Sequence, residues 1–146
     1  MDQDGDPLAL SISRAKALHD QDPTCRSLGI SLGDVGPGRA VVRLRLTAEM
    51  VNGHGIAHGG FLFLLADAAF SFACNTHGPV TVAQGAQVSF LQPAAAGDEL
   101  TAEAVERTRV GRHGVYDVTV RKADGTVVAE FRGQSTMLSG RPGTAG

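Results

Sequence analysis

Residues Phe61 to Asn75 constrain the fold more than any other segment. The run FLFLLADAAFSFACN is rich in Leu, Ala and Phe, and Gly78-Pro79 stops it, which reads as a helix. Its apolar residues lie nearly all the way round the helix instead of along one stripe, so other elements must enclose it. The stretch Phe61 to Ala73 is 13 residues long and is interrupted by Asp67 and Ser71. A membrane span needs about 20 residues, so no membrane partner is expected.

The rest of the chain supplies the enclosure. Leu8 to His19 reads as a short amphipathic helix, Pro23 closes that region, and Cys25 to Val35 reads as irregular or weakly extended. After the Gly36-Pro37-Gly38 turn, Arg39 to Leu46 alternates as a half-buried strand, with Arg43 and Arg45 outward. Glu49 to Gly60 is Gly- and His-rich and too irregular for a strand.

Downstream of the helix, strands are expected at Val80 to Leu91, Glu99 to Arg107, Val115 to Lys122 and Val127 to Leu138. Turns lie at Pro93 to Asp98 and Gly111 to Gly114, and Asp124-Gly125 is a hairpin signal. The expected fold is α+β, a hotdog arrangement in which a curved antiparallel sheet, ending in a four-strand meander, wraps one long buried helix. The alternative is a generic α+β layer whose helix is covered by a second subunit. One domain spans residues 1–146, with an N-terminal helical segment at 1–22 and a Gly/Pro-rich, flexible tail at 139–146.

Charge excludes some functions. The net charge is −2, basic and acidic residues are interspersed, and no basic stripe carries aromatics, so no nucleic-acid partner is expected. Cys25 and Cys74 form no C-x-x-C pair, and Met1 to Pro7 lacks a basic start and an apolar run. A reduced, cytoplasmic setting is expected.

Two features of Asn52 to Asp67 carry chemistry. His58-Gly59-Gly60 opens the apolar helix, whose first amides are unpaired and lie at the positive end of the helix dipole. Glycines there admit a ligand close to the backbone, as an oxyanion site requires, or else serve tight helix–sheet packing. Asp67 is a carboxylate with apolar neighbours from Phe61 to Phe70. Such a group is costly unless it is useful or paired, for instance with Ser71 one turn on.

Asn52-Gly53-His54, His58-Gly59-Gly60, Phe63-Leu64-Leu65-Ala66-Asp67 and Ala73-Cys74-Asn75 together resemble the signature of the PaaI-type (phenylacetic acid degradation) thioesterases. The resemblance runs from about Arg39 to Leu138. It implies an acyl-CoA thioesterase of the hotdog superfamily that needs neither metal nor cofactor and works as a homodimer, often a dimer of dimers. By position it implies Asp67 as the catalytic carboxylate, Gly59 as the oxyanion-hole amide and Asn52 as their support, with phenylacetyl-CoA or a hydroxylated relative as substrate.

Spacing adds a constraint of its own. Gly59 and Asp67 are eight residues apart, roughly 12 Å of helix at about 1.5 Å per residue. A base and an oxyanion donor must each lie about 3 Å from the reacting groups. The active site must therefore combine Gly59 of one subunit with Asp67 of the other. Asp67 then activates water or attacks the thioester directly, while His58 and Gly60 brace the loop.

Phe61, Phe63, Phe70 and Phe90 either line an acyl pocket or fill the core, and Phe63 and Ser71, on the helix of Asp67, are candidate substrate-binding residues. The basic loop Arg107 to His113 offers Arg109 and Arg112 to the phosphates of CoA.

Rival readings are a zinc site using His54 and His58, a Cys74 nucleophile, a non-catalytic acyl-CoA-binding domain, and a hotdog hydratase or dehydratase pairing His58 with Asp67.

Overall fold

The computed structural model describes residues 5–138, so the tail expected at 139–146 and the first four residues lie outside it. Helix α1 (Pro7–Asp20) begins where the Asp6 carboxylate accepts the Leu8 amide at 3.0 Å and Pro7 takes a position whose N–H would be unpaired. The same device recurs at once. The Asp22 carboxylate accepts the Cys25 amide at 2.9 Å and Pro23 opens a second helix, α2 (Pro23–Leu28), which Gly29 ends at φ 80°. Helix α1 thus ends before Pro23, as expected, but Pro23 itself opens a further short helix. The stretch expected to be irregular holds α2 and a strand, β1 (Ser31–Gly36).

Strand β2 (Arg39–Arg45) follows, buried at Ala40, Val42 and Leu44 and open at Arg43 and Arg45. A single 3-10 turn at Ala48–Met50 leads to the central helix α3 (Gly59–Cys74). After it come β3 (Thr81–Phe90), β4 (Glu99–Val110), β5 (His113–Lys122) and β6 (Val127–Met137). The six strands form one antiparallel sheet in the order β1-β2-β4-β5-β6-β3. The four-strand meander expected after the helix is therefore only three strands long. Strand β3 sits at the far edge against β6, and residues 91–98 carry the chain back to the middle of the sheet. Hydrogen bonds from Ala57 to Ala94 (2.8 Å) and between Leu46 and Asp98 (2.9 Å) pin that crossing.

The sheet packs on α3 through β2 to β6, which is the hotdog arrangement. Leu62, Leu65, Ala66, Ala69, Phe70, Phe72 and Ala73 are buried. Full burial of a Leu or Phe side chain contributes about 1.5–3 kcal/mol. Enclosure is incomplete along one line, however. Gly60 is exposed, and Phe63, Leu64, Asp67 and Ser71 are half-buried at helical spacing.

Candidate active site

The approach to α3 is built by Asn52. Its Oδ1 accepts the His54 amide at 2.9 Å and the Ile56 amide at 3.2 Å, while its own amide donates to the Ile56 carbonyl at 2.7 Å. His58 caps the helix through its main chain. Its amide donates to Met50 O at 2.9 Å, and its carbonyl accepts the Phe61 amide at 3.0 Å. Its imidazole is exposed and makes no hydrogen bond among the described residues, so the bracing expected of His58 comes from its backbone.

Among the described residues the amides of Gly59 and Gly60 find no acceptor. They are left at the positive end of a 16-residue helix. A Cβ at residue 59 would stand 2.9 Å from the Phe90 ring, whereas one at residue 60 would meet nothing within 4 Å. Gly59 thus admits an aromatic ring, as the packing reading requires, and keeps an unpaired amide.

Asp67 lies on the half-buried line of α3 and takes part in no hydrogen bond or ion pair among the described residues. The bond to Ser71 is not formed. Burial raises its pKa above the usual 3.8, because the charged form loses solvation. Phe63 flanks it one turn back, edge-on to Phe131 with ring centres 5.3 Å apart. The other phenylalanines sort differently. Phe70 is core, sandwiched between Tyr116 and Phe131, Phe61 is half-buried, and Phe90 is 54% exposed.

At the other end of α3 the structure corrects the basic loop. Strand β4 continues to Val110, so Arg107 and Arg109 stand on a strand, Arg107 within the register shift between Glu106 and Thr108 and Arg109 past it, and the turn shortens to Gly111-Arg112. Arg107 is held by Asp117 at 2.7 Å, and Arg109 lies 3.4 Å from Glu106. Arg112 is exposed and forms no ion pair among the described residues. A cluster that the sequence did not reveal joins these elements, since Glu106 Oε1 also lies 2.7 Å from His77 Nε2 and accepts the Tyr116 hydroxyl at 3.1 Å. Asn75 clasps the next strand, its side chain donating to Thr81 O and accepting from Thr81 N, both at 2.9 Å, which ties the end of α3 to the start of β3.

Cys74 is buried, and burial pushes its thiol up to about 12, which argues against the nucleophile reading. Among the described residues no three His, Cys, Asp or Glu side chains converge as a metal site needs. His58 and Asp67, nine residues apart on one helix, are separated by roughly 13 Å in a single chain.

A model of the thioesterase superfamily matches residues 54–129, which include all of α3 and its free N-terminal amides, Asp67 and the strands down to the start of β6. The chain belongs to the thioesterase superfamily. This thioesterase is 43% identical over 126 residues to the acyl-coenzyme A thioesterase PaaI of Escherichia coli K12, covering 86% of this chain and 90% of that one. Its structure is similar to that of the E. coli PaaI protein from the phenylacetic acid degradation operon. The TM-score is 0.89 at 41% identity, over 91% of this chain and 96% of that chain. A mutant form of the phenylacetic acid degradation protein PaaI from Thermus thermophilus matches with a TM-score of 0.77 at 40% identity, over 80% of this chain and 100% of that chain. The thioesterase is of the PaaI type, with the hotdog fold, and thioester hydrolysis is its class of reaction.

Proposed function

We propose that the chain hydrolyses an arylacetyl-CoA, phenylacetyl-CoA or a ring-hydroxylated relative, in a homodimer whose active sites are shared. One observation carries the reading. A free amide at Gly59 and an unpaired, half-buried carboxylate at Asp67 occupy one helix about 12 Å apart. Each is half of a hydrolytic site.

The geometry favours a second copy as the source of the other half. Strand β3 is an open edge of the sheet, with Val82 and Phe90 on it 39% and 54% exposed and Leu91 just after it 53% exposed. An unpaired edge with apolar side chains is a template for another strand, and a two-fold axis there puts like against like. Pairing of such dimers into a tetramer follows the resemblance alone.

In this reading the Gly59 amide polarises the thioester carbonyl. Asp67 of the partner subunit takes a proton from water as the water oxygen bonds to the carbonyl carbon. The carbon–sulfur bond then breaks, and the CoA thiolate, a good leaving group, needs no strong acid. Asn52 holds the loop that presents Gly59, and Phe63 and Ser71 border Asp67. Arg112 and Arg109 meet the phosphates of CoA.

The test is release of free thiol from a panel of acyl-CoA esters. Phenylacetyl-CoA and its hydroxylated relatives should give the highest kcat/KM. A clear preference for straight-chain esters would contradict the assignment of substrate, and inertness toward all of them the assignment of function.

A further inference from the structure

We propose that a small pocket under the β4–β5 hairpin binds the end of a phosphate monoester, either the 3′-phosphate of CoA or free inorganic phosphate. For the first source the proposal rests on the thioesterase reading above, and it names which phosphate of CoA the hairpin recognises and with what.

The pocket lies at the C-terminal end of α3, where Cys74 meets the hairpin turn and strand β6. Its mouth is basic. Arg109, Arg112 and His113 line it and are exposed, and no carboxylate is among its lining residues. Glu106, the carboxylate beside Arg109, is taken up by His77 Nε2 at 2.7 Å and by the Tyr116 hydroxyl at 3.1 Å. Arg109, at 3.4 Å, is the loosest of its partners and can turn to an anion without stranding Glu106.

The floor supplies a donor. Ser135 is 3% exposed, and its hydroxyl makes no hydrogen bond among the described residues. The neighbouring hydroxyls are committed, Thr81 to Pro79 O and Tyr116 to Glu106. A buried hydroxyl costs free energy until a ligand or a water meets it. Gly114 keeps the space in front of it open, because a Cβ there would stand 2.8 Å from Ser135 Oγ and 3.0 Å from the Tyr116 ring.

Size selects the ligand. The space inside is about 10 Å³, room for one oxygen and not for a ring or an acyl chain. An anion must therefore enter end-on with a single oxygen and leave the others at the arginines, whose paired N–H groups match them. A phosphate monoester has three free oxygens at one end and carries about −1.5 to −2 charges at pH 7. The diphosphate of CoA is esterified on both sides and cannot enter in this way. Cys74 is seven residues past Asp67, about 10 Å of helix, so the pocket is within reach of the nucleotide end of a thioester held at Asp67.

Wild type, Ser135→Ala and Arg112→Ala should be assayed on phenylacetyl-CoA and phenylacetyl-3′-dephospho-CoA, and their Tm recorded in sodium phosphate and in sodium chloride of equal ionic strength. Arg112 is exposed, so its replacement spares the fold. Wild type should favour the CoA ester at least about tenfold in kcat/KM, the worth of one hydrogen bond to a charged group, and both variants should bring that ratio close to one. Phosphate should raise the Tm of wild type above its value in chloride, and less so in each variant. A phosphate-specific rise lost in the variants, without preference between the esters, supports the site and makes free phosphate its ligand. Equal rates on both esters together with equal Tm in both salts would overturn the proposal and leave the pocket to a water molecule. An ester preference or a phosphate effect undiminished in both variants would overturn it too, because the phosphate is then read elsewhere. A wild type inert on both esters, with the phosphate effect intact, would overturn the thioesterase reading and leave the pocket standing.

Discussion

Asn52 and Ile56 are bound to each other twice, amide to carbonyl at 2.7 Å and side-chain oxygen to amide at 3.2 Å. The pair closes the loop that delivers Gly59, and Asn52 Oδ1 is thereby committed to structure. Asn52→Asp keeps that acceptor and should retain melting temperature and activity within a few-fold. Asn52→Ala should lose about 1 kcal/mol of stability and most of its activity. Equal losses of activity in both variants, with Asn52→Asp fully stable, would mean that the side-chain amide acts on the substrate or the water.

The raised pKa of Asp67 has two consequences of opposite sign for activity and stability. The carboxylate must be ionised to act as a base, so the acid limb of kcat/KM should lie above 3.8, and Asp67→Asn should lower turnover at least about a hundredfold. Ionisation of a group whose folded pKa is raised costs stability. That stability is fully present below about 3.8 and lost as pH rises through the higher folded value. Asp67→Asn should therefore melt higher than wild type at pH 7, and the gap should close in acid. A variant that melts lower at pH 7 would show Asp67 to be structural.

Where the signal is local, the sequence carried the fold. The apolar circumference of α3 and the alternation of β2 and β5 are short-range patterns, and those elements formed close to their expected bounds. Asp67 was legible for a related reason, as a lone carboxylate in an apolar helix. Pro23 marked the end of α1 correctly but hid α2, because a proline that stops one helix can equally occupy the first position of another, and Asp22 supplied the cap. The place of β3 depends on β6, far along the chain, and no local pattern encodes it. Without that placement the contact of Phe90 with Gly59 was invisible. The reach of β4 past Arg107 was hidden by the register shift that follows Glu106.

Arg109 and Arg112 differ in how free they are, since only Arg109 lies beside a carboxylate, Glu106, at 3.4 Å. If both meet the phosphates of CoA, changing both to Ala should raise KM with little effect on kcat. The same variant should match wild type on a short thioester that lacks the nucleotide. Equal defects on both substrates would assign the hairpin a structural role.

The shared site is the central claim, and mixed dimers test it most directly. Asp67→Asn and Gly59→Pro subunits should each be inactive alone, the second because proline has no amide to donate. Proline is acceptable in a first helical turn, though the nearby Phe90 ring must shift to admit it. In a mixed dimer one site combines the intact Gly59 of the first subunit with the intact Asp67 of the second, while the other site inherits both lesions. Unfolding and refolding the two variants together should restore up to about a quarter of wild-type activity for random assortment, because half the dimers are mixed and half their sites intact. If Gly59 and Asp67 of one chain served the same site, every site would carry a lesion. Mass spectrometry showing mixed dimers without regained activity would contradict the account.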